Sequence, residues 1–327
     1  MNHSLSRRVV LTTAAAILAF GAAAQSPAHL PTKPVRIVVG YPAGQTVDIV
    51  ARDYAAALAT ELGQPVYVDN RPGANGILGA SETKKSAADG TTLLLGTLGQ
   101  MAINPTLYKK IPYDTLKDFA PVALTSIGPL LLVAPPSFPP NNVAELLAYV
   151  KANPGKVNYG SGGNGITAHL AMEILQARAG IKLTHIPYKG SPAALNDLMA
   201  GQVSLMFDAM PSSLPLVKAG KLKVLGISSL ARNTQLPSTA TINEQGLKGF
   251  EILSWLGFFA PAGTPPETVA ALNAAIGRAS ASTQVQNRIQ ATGSEPLVET
   301  PAYFASFLQT EVKKWGKAVI DSGIQID

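Results

Sequence analysis

Short runs of β-branched and aliphatic residues alternate with alanine-rich helical stretches along nearly the whole chain, and this alternation narrows its folding options more than any other feature. The first half gives strand PVRIVVG, helix VDIVARDYAAALATEL, strand PVYVDN, a helix from about Gly76 to Lys85, and strand TTLLLGT. The middle repeats the theme: PLLLVAP, helix NVAELLAYVKA, strand VNYG, a helix from Thr167, strand LTHIPY, helix SPAALNDLMAG, and strands VSLMFD and LKVLGIS. After Trp255 the stretch GFFAPAGTPPETVAALNAAIGRA supplies a strand and a proline-marked helix start, and further helices run to Trp315 and Ala318. The spacing predicts an α/β fold with mostly parallel sheets. At 327 residues the chain exceeds one ordinary core. The expected organisation is a discontinuous first lobe, 33–126 plus 255–327, enclosing a second lobe at 127–254, with the linkers side by side as a hinge.

The opening MNHSLSRRVVLTTAAAILAFGAAAQSP has a basic start at Arg7 and Arg8, an apolar run from Val9 to Phe20, and small residues through Ala24. The apolar run falls short of the roughly 20 residues a stable membrane anchor needs. This is the pattern of a secretory signal peptide, residues 1–24, cut after Ala24, and the arginine pair hints at twin-arginine export. No cysteine occurs anywhere, which excludes disulfides, thiolate nucleophiles, Cys-ligated metals and lipid attachment at an N-terminal cysteine. An untethered export product stays near its cell only behind an outer envelope, so the expected compartment is a Gram-negative periplasm. Free nucleotide cofactors are scarce there. Two of the 26 Lys and Arg lie in the leader, and the remaining 24 face 20 Asp and Glu, a net of +4. Such a mild excess suits a small anionic ligand, whereas scattered lysines and few aromatics give no nucleic-acid surface.

The segment VNYGSGGNGITAHLAMEIL places Gly160, Gly162 and Gly165 as G-x-G-x-x-G between a strand and a helix. Free N–H groups at a helix start attract any anion, so the motif indicates an anion before it indicates a nucleotide. A dinucleotide site also needs an acid about 20 residues further on. That region is THIPYKG, with His185 and Lys189 but no acid. An internal echo carries more weight: VVGYPAGQTVDIVARDYAAAL and the glycine-rich segment share the order strand, tyrosine, small residues with a carboxamide, threonine, helix. Each lobe therefore offers one anion-ready helix start at the carboxyl end of a strand, where ligands of open α/β sheets bind.

Other chemistries fit less well. Ser161, His169, His185 and Asp208 could be arranged on paper as a triad, but no G-x-S-x-G elbow surrounds Ser161. Ser161 is expected to serve a ligand or its own turn, and His169 a helix-to-core contact. His169 and Glu173 have i,i+4 spacing without a third metal ligand in view, so no metal and no cofactor is expected. Asp48 belongs in the first turn of its helix, where it stabilises the N-terminus. Asp208 ends an apolar strand, where it can accept a ligand amine or hydroxyl or tie down the following turn.

Six ordered segments carry a family resemblance: VGYPAGQTVDIVAR, DNRPGANGILGA, DGTTLLLGTLGQMAINPTLY, YGSGGNGITAHLA, IPYKGSPAALNDLMAGQVSLMFD and FFAPAGTPPETVAALN. Together they resemble the receptors of tripartite tricarboxylate transporters, also called Bug proteins. The resemblance implies a two-lobed, type II flytrap binding protein of the periplasm that captures a small organic carboxylate and delivers it, as a monomer, to membrane permease subunits. It implies a first ligand loop from Tyr41 to Thr46, including Ala43, Gly44 and Gln45, and a second from Ser161 to Thr167, including Gly162 and Asn164. Thr97 and Gln100 of TLGQ match a further segment near the cleft, and Asp208 matches an acid at the far end of the pocket in amino-acid-binding members. Three positions depart from the family pattern: Gln45 stands for a glycine, and Val47 and Ile166 stand for hydroxyl residues. A linear dicarboxylate, an aromatic acid, an acidic amino acid or a nicotinate-like compound would each satisfy two anion loops. A periplasmic serine hydrolase, or a sensor that presents its ligand to a signalling partner, are the alternatives.

Overall fold

The structure, a computed structural model, describes residues 30–323. The expected leader and its cleavage site lie outside the described residues. β1 (Val35–Val39), α1 (Thr46–Leu62), β2 (Val66–Asn70), α2 (Ile77–Lys84) and β3 (Thr92–Thr97) open the chain, with β2 and β3 flanking β1 in parallel. A wide π-helical turn, Gly99–Ile103, and two single-turn helices, α3 (Asn104–Leu107) and α4 (Thr115–Asp118), lead into β4 (Phe119–Ala134). α5 (Val143–Ala152), β5 (Asn158–Ser161), α6 (Thr167–Ala179), β6 (Thr184–Pro187), α7 (Ser191–Met199), β7 (Leu205–Ala209), α8 (Met210–Lys218) and β8 (Lys223–Ile227) follow. β9 (Leu253–Pro261) brings the chain back, and α9 (Pro266–Ser280), α10 (Thr283–Ala291), β10 (Glu295–Pro296) and α11 (Pro301–Ser322) complete it.

The strands form one continuous path, β2-β1-β3-β9-β4-β7-β5-β6, with β8 and β10 paired to β4. Its centre is β4. From Phe119 to Pro129 this strand lies antiparallel to β9, and from Leu130 onward it pairs instead with β7 and β8. The expectation of mostly parallel sheets therefore holds only for the outer strands, where β1 and β5 each have two parallel neighbours. The physical reason is topological: a strand leaving one half and a strand returning beside it must run in opposite senses. Irregular register near Pro121 and Leu124 lets the long strand bend while Pro121 goes without a ladder hydrogen bond.

Three apolar clusters fill the space around this path. One, containing Val38, Leu132, Tyr159, Trp255 and Trp315, is shared by both halves of the sheet. The second lies beneath α1 and α9, and the third beneath α7 and α8. α11 is fastened to β9 by a buried polar clamp, in which Trp255 Nε1 and Trp315 Nε1 each donate to Glu311 Oε2 at 3.0 Å. A second connection between the halves is a strap: Asn233 Nδ2 donates to Gly293 O at 3.0 Å, and Gln235 Nε2 to Gln290 O at 2.6 Å. Among the described residues no helix is long and apolar enough to cross a membrane.

Replacing Glu311 by Ala leaves two buried indole N–H groups without an acceptor, each worth about 1–3 kcal/mol. A loss of about 2–4 kcal/mol is expected in denaturant unfolding. Glu311→Gln, whose amide oxygen still accepts, should cost much less.

Candidate functional site

The carboxyl ends of β1, β3, β5, β6 and β7 carry the loops that the sequence singles out, and four of the helices that follow them begin alike. α1 starts after Gln45, α6 after Ile166, α7 after Gly190 and α8 after Ala209, each without a side-chain hydrogen bond closing its first turn. α2 and α9 also begin without one, whereas α5, α10 and α11 are closed by Asn142, Ser282 and Thr300. An open first turn leaves N–H groups and the positive end of the helix dipole directed outward, and an anion satisfies both.

On the first side, Tyr41 Oη lies 2.8 Å from Thr97 Oγ1, and Gln100 N donates to the same Thr97 oxygen at 3.2 Å. Burial pushes the Tyr41 phenol up to about 12, against the lowering effect of Thr97, so it stays protonated at neutral pH. Gln100 is fully buried. Its Nε2 donates to Gly76 O at 2.6 Å, while its Oε1 has no hydrogen-bond partner; the side chain therefore supports the Gly76 turn from below. Asp48 takes the capping role expected of it, one turn displaced: Oδ2 accepts Gly44 N–H at 2.8 Å, and both oxygens accept from Arg52. Burial raises its pKa, but the bonds from Arg52, Gly44 and Asn70 outweigh this and hold it below the usual carboxylate range. Ala43 and Gly44 are exposed, and Gln45 and Thr46 half-buried.

On the second side the glycines pack chain against chain. A Cβ on Gly162 would lie 2.8 Å from Ser191 N, and Gly190 N donates to Gly162 O at 2.9 Å. The second glycine of the motif thus admits a neighbouring loop. Ser161 is fully buried; its hydroxyl donates to Gly163 O at 2.9 Å and lies 2.6 Å from His185 Nε2. With the hydroxyl proton directed to Gly163, His185 donates to Ser161 Oγ, the reverse of what a general base requires. His169 Nδ1 accepts Gly165 N–H at 3.0 Å, which fixes the turn ahead of α6. His169, His185 and Tyr159 stack, with the two imidazoles 4.0 Å apart. Burial lowers both histidines to about 4, so they are neutral in the folded protein. Asn164 is exposed at the loop tip and Thr167 half-buried at the start of α6.

The two sides meet. Asn75 Nδ2 lies 3.4 Å from Gly165 O, and Gln45 Nε2 lies 3.8 Å from the place a Gly190 Cβ would take. A Cβ on Gly99 would be 3.6 Å from Asn75 Nδ2 and 3.9 Å from Thr167 Oγ1. Sequence reasoning missed Asn75, Asn104 and Ser191. The signal for Asn75 was present in PGANG, since Asn-Gly marks a turn that tolerates positive φ.

Asp208 lies one layer behind the second loop, buried and hydrogen-bonded by Ser212 and Ser191. Both roles expected of it remain compatible with this position, and Ser212, which also donates to Ala209 O, shows that it ties down its turn. Burial raises its pKa to about 6 against the lowering effect of these bonds. An acid whose folded pKa is raised contributes most below its unfolded value near 3.8 and loses that contribution as pH rises through about 6. Asp208→Asn should therefore match the wild type near pH 4 and exceed it by about 1–3 kcal/mol at pH 8, read from denaturant midpoints across that range.

Comparison with known proteins agrees with this geometry. The Tripartite tricarboxylate transporter family receptor family (TctC) matches residues 50–324. Protein BugT of Bordetella pertussis (strain Tohama I) is 37% identical over 297 residues, covering 90% of this chain and 91% of BugT. The structure titled "R. palustris Rpa4515 with adipate" superposes with a TM-score of 0.83 at 36% identity, covering 90% of this chain and 99% of that one. MatC (Rpa3494) from Rhodopseudomonas palustris with bound malate superposes with a TM-score of 0.80 at 35% identity, covering 88% and 99%. With two lobes joined by β4 and β9, open helix starts along the seam between them and this match over most of its length, the chain belongs to the tripartite tricarboxylate transporter receptor family.

Proposed function

We propose that this protein is a periplasmic receptor that closes two lobes, 33–126 plus 255–327 and 127–254, around a small organic carboxylate and hands it to membrane permease subunits. The observation that carries the reading is the meeting of loops from the two sides at one seam, where Asn75 Nδ2 lies 3.4 Å from Gly165 O ahead of the open start of α6, and Gln45, ahead of the open start of α1, lies against Gly190. A carboxylate there would accept from the N–H groups of the loops at Tyr41 to Thr46 and Ser161 to Thr167. A ligand touching both sides favours the closed form over the open one, which is the differential affinity a hinge needs. The adipate and malate bound in the two structural relatives support a linear dicarboxylate as the ligand class. Residues 1–24 act in this reading as an export signal cut after Ala24, and the receptor works as a monomer without cofactor.

A hydrolase built on Ser161 is disfavoured because the hydroxyl is buried and engaged in its own turn. Titration of the purified protein with adipate and malate tests the proposal. Binding should raise unfolding free energy by about 2.7 kcal/mol at a ligand concentration 100 times Kd. Absence of any shift across a carboxylate panel, together with model-ester turnover that Ser161→Ala abolishes, would overturn it.

A further inference from the structure

We propose that Asn75 is a latch: its side chain holds the two lobes together through a bond that belongs to the protein alone, so closure is biased before any ligand contributes. Three observations lead there. Ala74 and Asn75 are the residues other than glycine with positive φ among the described residues, at 46° and 50°. Adjacent left-handed residues of this kind cost free energy and persist where the surroundings hold them for a purpose. Here the strained turn delivers one carboxamide across the seam, with Asn75 Nδ2 at 3.4 Å from Gly165 O.

The second observation is that this carboxamide is held in a single orientation. Tyr41 has one hydroxyl proton, and since it goes to Asn75 Oδ1 at 3.4 Å, Thr97, which also accepts Gln100 N–H, donates to Tyr41 Oη at 2.8 Å. Nδ2 consequently faces away from Tyr41, giving one hydrogen to Asn104 Oδ1 at 2.9 Å and the other to Gly165 O, while Asn104 Nδ2 returns a bond to Asn75 O at 2.9 Å. Every donor in the chain has one acceptor, and all but the last lie on the first lobe. The third observation concerns the receiving end: His169 Nδ1 accepts the Gly165 N–H at 3.0 Å and so anchors the turn that carries the Gly165 carbonyl. The role of the latch in transport rests on the receptor reading above, but the bond itself does not.

Small-angle X-ray scattering of the ligand-free protein tests this directly. Asn75→Gly keeps the left-handed backbone at no steric cost and removes the bond to Gly165 O together with those to Tyr41 and Asn104 Oδ1. Asn75→Asp keeps the acceptor for Tyr41 but turns an oxygen towards Asn104 Oδ1 and Gly165 O. Both should enlarge the ligand-free radius of gyration relative to the wild type, the Asp variant more. They should also raise the Kd for adipate by about 3- to 10-fold, the share of closure that one net hydrogen bond supplies. Scattering curves that coincide for all three proteins, or a Kd unchanged in both variants, overturn the latch. A wild type that binds neither adipate nor malate counts against the carboxylate reading instead, and the scattering comparison still decides the latch.

Discussion

The antiparallel pairing of β4 with β9 is the constraint on which the rest of the molecule depends. Because β4 changes partners at Pro129 and Leu130, one strand runs through the middle of both sheet halves and aligns them end to end. Every parallel strand on either side then ends towards the same seam. Two loops that precede open helix starts, with Gln45 ahead of α1 and Gly165 ahead of α6, lie at that seam.

Most of the architecture was legible because it is carried by local pattern. VRIVV, TLLLG and LMFDA are short apolar runs bounded by turn residues, and α1 and α6 show helical spacing over more than ten residues. What escaped was non-local. The first eleven residues of β4 read poorly as a strand because Pro121, Gly128 and Pro129 interrupt them, and only pairing with β9 makes them extended. α8 is hidden by Pro215 within its second turn, tolerated in a helix of nine residues packed against β4 and β7. The π-helical turn at Gly99–Ile103 has no period of its own.

The site was legible at the level of its loops and less so at the level of atoms. Glycine-rich turns ahead of α1 and α6 announce open helix starts, and the sequence leaves Ser161 to serve either a ligand or its own turn. In the structure several polar groups of the site serve the protein first: Gly44 N–H goes to Asp48, Ser161 to Gly163 and His185, and Gln100 to Gly76. Which hydroxyl or amide a turn consumes depends on partners far away in sequence, as the separation of Ser161 from His185 illustrates. The decisive cross-lobe group, Asn75, sits in a turn whose function appears only when the second lobe is brought against it.

The strap from Asn233 and Gln235 to Gly293 and Gln290 has a mechanical consequence. Two covalent passages, β4 and the entry to β9, lie side by side, and a third, non-covalent tie stands apart from them. The strap lies away from the paired strands, so a rotation of the halves about those strands has to stretch or part its two bonds.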